Sequence, residues 1–175
     1  MLAGPSGAGK TSVLAALLGL AASRGRAGLD GRAVTAADLA WAPQGAWDAV
    51  VTGSVRDNLA LGTTGASDGA LLAALDRAGV EVPLDARLEP ATGGSLGLSG
   101  GQAQRVVLAR ALHRVASGAR MLLADEPTSA LDAAAEARVL QGLRAAADEG
   151  AIVLVASHRA AVLAEADRVV RVGER

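Results

Sequence analysis

Within eight residues, Gly4-Pro-Ser-Gly-Ala-Gly-Lys-Thr11 sets glycines at 4, 7 and 9 before a lysine and a hydroxyl, at the head of an apolar stretch. Glycines there let backbone amides approach a phosphate closely, and the partial positive charge of the helix that follows favours an anion. Lys10 would reach the β- and γ-phosphates and Thr11 would hold magnesium, while Pro5, Ser6, Ala8 and Ser12 complete the cradle. Lys10 is the only lysine among 17 basic residues, so the chain's one flexible ammonium lies inside this turn.

The other chemistry-bearing residues are spread along the chain. Asp125 follows Met121-Leu-Leu-Ala124, the context of a carboxylate at the C-terminal end of a buried strand, where it would serve the metal near Thr11. Strand alternation would point Glu126 the other way, toward the γ-phosphate, as the general base for water. His158 follows Val-Ala-Ser157 at the end of a second strand and would sense or clamp the γ-phosphate. Gln44 ends a third strand and would touch both metal and attacking water, passing occupancy into residues 45–60.

Ser99-Gly100-Gly101-Gln102 opens a second helix whose first amides also suit a phosphate. One compact chain does not readily cradle a γ-phosphate and cap it from the opposite side, so this turn is expected to cap the nucleotide of a second subunit in a head-to-tail sandwich. Asp132 would cap the next helix and meet that subunit. Simpler readings stand beside these: Ser99 as an ordinary N-cap, Gln44 as a polar turn residue, Asp132 as a cap alone.

Elements able to position these residues follow from hydrophobic periodicity. The pattern predicts helices over 10–22, from Ser54 through Leu61, 67–78, 101–116, 132–148 and 159–165. It predicts strands at 39–42, 121–124, 152–155 and 168–172, with breaks at Pro83, Pro90 and Gly93-Gly94. Residues 54–116 read as a helical subdomain inserted in parallel α/β order. Only Met1-Leu-Ala3 precedes the cradle, so most of the expected strand before it is missing, as in a fragment or a misplaced start. His113 is expected in packing or at the surface, Trp41 in the core, Trp47 as an exposed anchor for a membrane partner, and Arg105, Arg110 and Arg114 on a solvated face.

Composition narrows the classes. With 51% apolar residues in 175, the chain suits one folded domain, and the absence of Phe and Tyr makes the core aliphatic. A formal charge of −1 offers no basic field for nucleic acid, and zero cysteines exclude disulfides and thiolate chemistry. The longest apolar run, Val13–Ala22, falls well short of the roughly 20 residues a membrane helix needs.

GPSGAGKT at 4–11, APQ at 42–44, LSGGQ at 98–102, MLLADEPTSALD at 121–132 and SH at 157–158 resemble, in order and over nearly the whole chain, the ATPase domain of ABC transporters. The resemblance implies a P-loop NTPase of the ABC ATPase type: a mostly parallel sheet with an inserted helical subdomain, using ATP and Mg²⁺. It implies pairing with a second ATPase domain and with transmembrane domains, hence a place at the cytoplasmic face of the plasma membrane.

TGSVRDNLALG at 52–62 and GGSLGLSGGQAQRVVLARAL at 93–112 are similar to exporter domains, especially the CydD-type half of thiol-reductant exporters, whose partner would be CydC-like and whose work supports cytochrome bd assembly. A lipid- or drug-exporter half, a soluble non-transport ABC ATPase and an inactive structural fragment are the alternatives. Against the family pattern, the leading strands and adenine-stacking aromatic are absent and 24–38 is short, so isolated affinity for ATP is expected to be weak.

Overall fold

The computed structural model describes residues 1–89, 98–129 and 131–173; the expected breaks at Pro90 and Gly93-Gly94 lie outside them. In chain order the elements are β1 (Leu2–Ala3), α1 (Lys10–Leu17), β2 (Gly28–Leu29), β3 (Arg32–Ala33), β4 (Leu39–Ala42), α2 (Ala46–Ala49), β5 (Gly53–Ser54), α3 (Val55–Leu59) and α4 (Asp68–Arg77). Then come β6 (Arg87–Leu88), α5 (Gly100–Ala116), β7 (Met121–Asp125), α6 (Ala133–Asp148), β8 (Ile152–Ser157), α7 (Ala160–Ala164) and β9 (Val170–Arg171).

Five strands form one sheet in the order β4-β7-β8-β1-β9, and every neighbouring pair is parallel. Pleat alternation sends Leu122 and Ala124 into the larger apolar cluster, with Val106, Val107 and Leu112 of α5 and Val139 of α6. Leu123 points the other way, to Leu2, Leu14 of α1, Leu39 and Ala156. The sheet is therefore covered on both faces, as a parallel sheet requires. Between β4 and β7 the chain leaves it for the inserted, mainly helical subdomain of α2 to α5 with the antiparallel pair β5–β6.

The three long strands lie where apolar runs predict them. Helix α1 stops at Leu17, five residues before its expected end, because Gly19 adopts a left-handed φ of 73°. Ser54 caps α3 reciprocally with Asp57. The two-residue strands β2, β3, β5 and β6 and the single turn α2 lack a sequence signal, and β9 is shorter than predicted. Strand β1 pairs Leu2 and Ala3 with Ala156 and Ser157 on one side and with Val170 and Arg171 on the other. It brackets only the last two residues of β8, and Ile152 at the other end of β8 is 47% exposed.

The three arginines of α5 do not form a solvated face. Arg110 donates to the Ala49 carbonyl at 2.8 Å, and burial pushes its guanidinium pKa down. Arg114 donates to the carbonyls of Leu39, Gly62 and Ala36 at 3.0–3.1 Å, and the Nε of Arg105 is buried. Backbone carbonyls at Ala49, Leu39, Gly62 and Ala36 thus hold the guanidinium forks of Arg110 and Arg114 against the fold. Trp47 is half-buried against the larger cluster rather than standing clear of the surface, and Trp41 packs against the smaller one. No helix among the described residues is long and apolar enough to cross a membrane.

Candidate nucleotide site

Because the sheet strands run parallel, the C-terminal ends of β1, β4, β7 and β8 open on one side, the usual place for ligands in such sheets. Ser6, Gly7, Gly9, Lys10, Thr11, Ser12, Gln44, Asp125, Glu126 and His158 line a single cleft of about 250 Å³ there. Ten residues drawn from four separate stretches of sequence meet in it.

The turn before α1 is closed by Ala8 N donating to the Pro5 carbonyl at 3.2 Å. Gly9 is the helix N-cap with φ 97°, a conformation costly for other residues, and no side chain caps the first amides of α1. Those amides are left for an anion. Lys10 is buried, and its Nζ donates to the carbonyls of Gly4 at 2.9 Å and Pro5 at 3.1 Å. Gly4, Pro5 and Ala8 thus shape the cradle without lining the cleft.

Thr11 Oγ1 donates to Asp125 Oδ2 at 2.7 Å. A hydroxyl and a carboxylate oxygen side by side, with the Gln44 amide in the same cleft, suit a magnesium ion, which keeps several waters and needs only one or two protein oxygens. Among the described residues no cluster of three or more His, Asp and Glu offers a fuller cage.

Glu126 lies beyond the end of β7 with φ 47°, so strand alternation does not set its direction; the left-handed backbone turns its carboxylate into the cleft that Asp125 also lines. Left-handed backbone at a non-glycine residue costs about 1–3 kcal/mol unless its surroundings hold it. They do so here. Glu126 N donates to the Ala156 carbonyl at 2.9 Å, and Gln104 Nε2 donates to the Glu126 carbonyl at 3.0 Å. Its carboxylate meets His158 Nδ1 at 2.7 Å, Ser157 Oγ at 3.2 Å and, at 4.0 Å, Lys10 Nζ. A buried carboxylate is tolerable only with such partners.

Ser99, Gly100, Gly101 and Gln102 do not line the cleft. They form a capping box at the head of α5, with Ser99 N donating to Gln102 Oε1 at 2.8 Å and Gln102 N to Ser99 Oγ at 3.2 Å. Asp132 caps α6 by accepting from Ala135 N at 2.8 Å.

Sequence reading missed Ser157, Gln104 and Arg159. Arg159 donates to the Thr128 carbonyl at 2.7 Å and pairs with buried Glu136 at 2.6 Å, tying the loop after Glu126 to the end of β8. Gln104 carries a legible signal: a polar residue set between Ala103 and Val106 on the apolar side of a helix.

The family profile described as ABC transporter matches residues 1–129. This chain belongs to the ABC transporter family. The mycobactin import ATP-binding/permease protein IrtB of Mycolicibacterium smegmatis is 41% identical over 96% of this chain, and the glutathione/L-cysteine transport system ATP-binding/permease protein CydD of Haemophilus influenzae is 35% identical over 96%. The structure of a bacterial Atm1-family ABC exporter with ATP bound superposes with a TM-score of 0.81 at 29% identity, covering 98% of this chain. The chain spans about 30% of the length of each of these ABC relatives.

Proposed function

We propose that this chain hydrolyses ATP to ADP and phosphate and that the reaction drives a solute through transmembrane domains at the membrane's cytoplasmic face. The observation that carries this reading is the single cleft in which Lys10, Thr11, Gln44, Asp125, Glu126 and His158 meet. The turn Gly4–Ser12 would hold the phosphates, with Lys10 moving from the carbonyls of Gly4 and Pro5 to the β- and γ-oxygens. Magnesium, held by Thr11 and Asp125 with Gln44 beside them, would supply charge neutralisation across those oxygens. Glu126 would take the proton from attacking water, His158 would clamp the γ-phosphate, and Gln44 would report occupancy toward α2.

The capping box at Ser99–Gln102, lying outside the cleft, supports a role on the nucleotide of a second ATPase domain, with Asp132 at the same junction. Similarity to the CydD and Atm1-family proteins supports an exporter, with thiol reductants such as glutathione or cysteine as cargo and a CydC-like partner. Similarity to IrtB supports a second reading, import of mycobactin. Transport assays in vesicles carrying the chain together with transmembrane domains, offering glutathione in one arm and mycobactin in the other, separate the two.

The test of the hydrolytic reading is Glu126→Gln. Turnover is expected to fall about 10²–10⁴-fold, while light scattering shows a dimer that forms only with magnesium-ATP. A variant that remains monomeric and binds no nucleotide would overturn it.

A further inference from the structure

We infer that Gln104 is a positioning residue for hydrolysis: from α5 it holds the backbone of Glu126 in the conformation that aims the carboxylate at the γ-phosphate position. The inference rests on Glu126 being the base. Gln104 is buried, with 7% of its surface exposed. Its Nε2 donates to the Glu126 carbonyl at 3.0 Å and to Ser129 Oγ at 3.2 Å.

That carbonyl belongs to a residue the chain alone would not place there. Glu126 has φ 47° and precedes Pro127, a combination that local sterics push toward extended backbone. Two donors oppose that tendency: the Ser129 amide, which closes the local turn at 3.0 Å, and Gln104, which reaches in from another element. Without Gln104 the turn stays closed but loses its only side-chain tie to α5 among the described residues.

Gln104 also lies two positions after Gln102, inside the first turn and a half of the helix whose capping box is assigned above to the opposite nucleotide. A shift of that helix start on closure against a second domain is therefore delivered to the base of the same chain through one amide. The helix joins the two halves of the sandwich: its start senses one γ-phosphate, and Gln104 orients the carboxylate that acts on the other.

Two measurements on the full 175-residue chain test this. Gln104→Met keeps the volume and removes the donor; Gln104→Asn keeps the amide and draws it back by one carbon, serving should the methionine variant not fold. The chain has two histidines, so imidazole ¹⁵N spectra have a built-in control. His158 touches the Glu126 carboxylate, whereas His113, also on α5, bonds Thr63 Oγ1 at 3.2 Å.

The variants are expected to move the His158 signals and leave those of His113 in place, and to lower kcat on the order of tenfold at unchanged KM for ATP. Unmoved His158 signals, or a kcat equal to the parent's, would overturn the inference. A parent chain that turns over no ATP, with His158 still responding to Gln104, would sink the hydrolytic reading and leave the hold on Glu126 standing.

Discussion

Two glycine-rich turns open two helices in this chain, and they are built in opposite ways. The turn at Gly4–Thr11 feeds an eight-residue helix, has no side-chain cap, and rests its own lysine on the carbonyls of Gly4 and Pro5. The turn at Ser99–Gln102 feeds a 17-residue helix and satisfies the amides of Ser99 and Gln102 by a reciprocal capping box. The first leaves its helix-start amides open to an anion; the second already engages two of its amides and would share its hydroxyl and remaining amides with a ligand. Glycine content alone therefore does not say which helix start binds tightly, whereas the presence or absence of a side-chain cap does.

The largest effect that would break this contrast is expected from Lys10→Ala, which removes the only cation from the open turn. ATP binding by the chain, read by calorimetry, should weaken on the order of a hundredfold, the scale of one or two charge-assisted hydrogen bonds. Equal affinity in parent and variant would mean that the amides of α1 suffice.

Ser99→Ala sharpens the contrast from the other side. Loss of the cap should cost about 1 kcal/mol, or a fall in Tm of about 2–4 °C for a chain of this size. Nucleotide binding by the monomer should be retained while the magnesium-ATP dimer of the Glu126→Gln background is lost. A Ser99→Ala chain that still dimerises would remove the second turn from the sandwich.

The smallest effect concerns the far end of the same helix. Burial pushes the His113 pKa below its ordinary value, so the unfolded chain binds a proton there more readily than the folded one. Its contribution to stability is therefore intact above about pH 6.5 and is lost as pH falls below it. His113→Gln should flatten the dependence of Tm on pH in that acidic range, and parallel curves for parent and variant would contradict this.

Much of the cleft was legible in the sequence, and the reasons are local. Apolar runs marked β4, β7 and β8, and in a parallel sheet the residues just past those runs converge, which brings Gln44, Asp125, Glu126 and His158 together. The direction of Glu126 was readable for a different reason from the one at work: a left-handed residue before Pro127, not strand alternation, sets it.

What stayed hidden depended on tertiary partners. Two-residue strands have no period to detect. Nothing in the spacing of Arg110 and Arg114 says that they meet the carbonyls of Ala49, Leu39, Gly62 and Ala36. The partners of Gln104 and Ser157 became visible only once the Glu126 backbone and carboxylate had positions.

Lys10 rests on the carbonyls of Gly4 and Pro5 while its turn is already wound, so the arriving phosphate exchanges partners with an ordered loop and folds nothing. Loading of a nucleotide on this geometry would need an exchange of partners at Lys10 and no refolding of the loop. Under the proposed function, control of the cycle would then fall on the meeting of two loaded domains rather than on the loading of each.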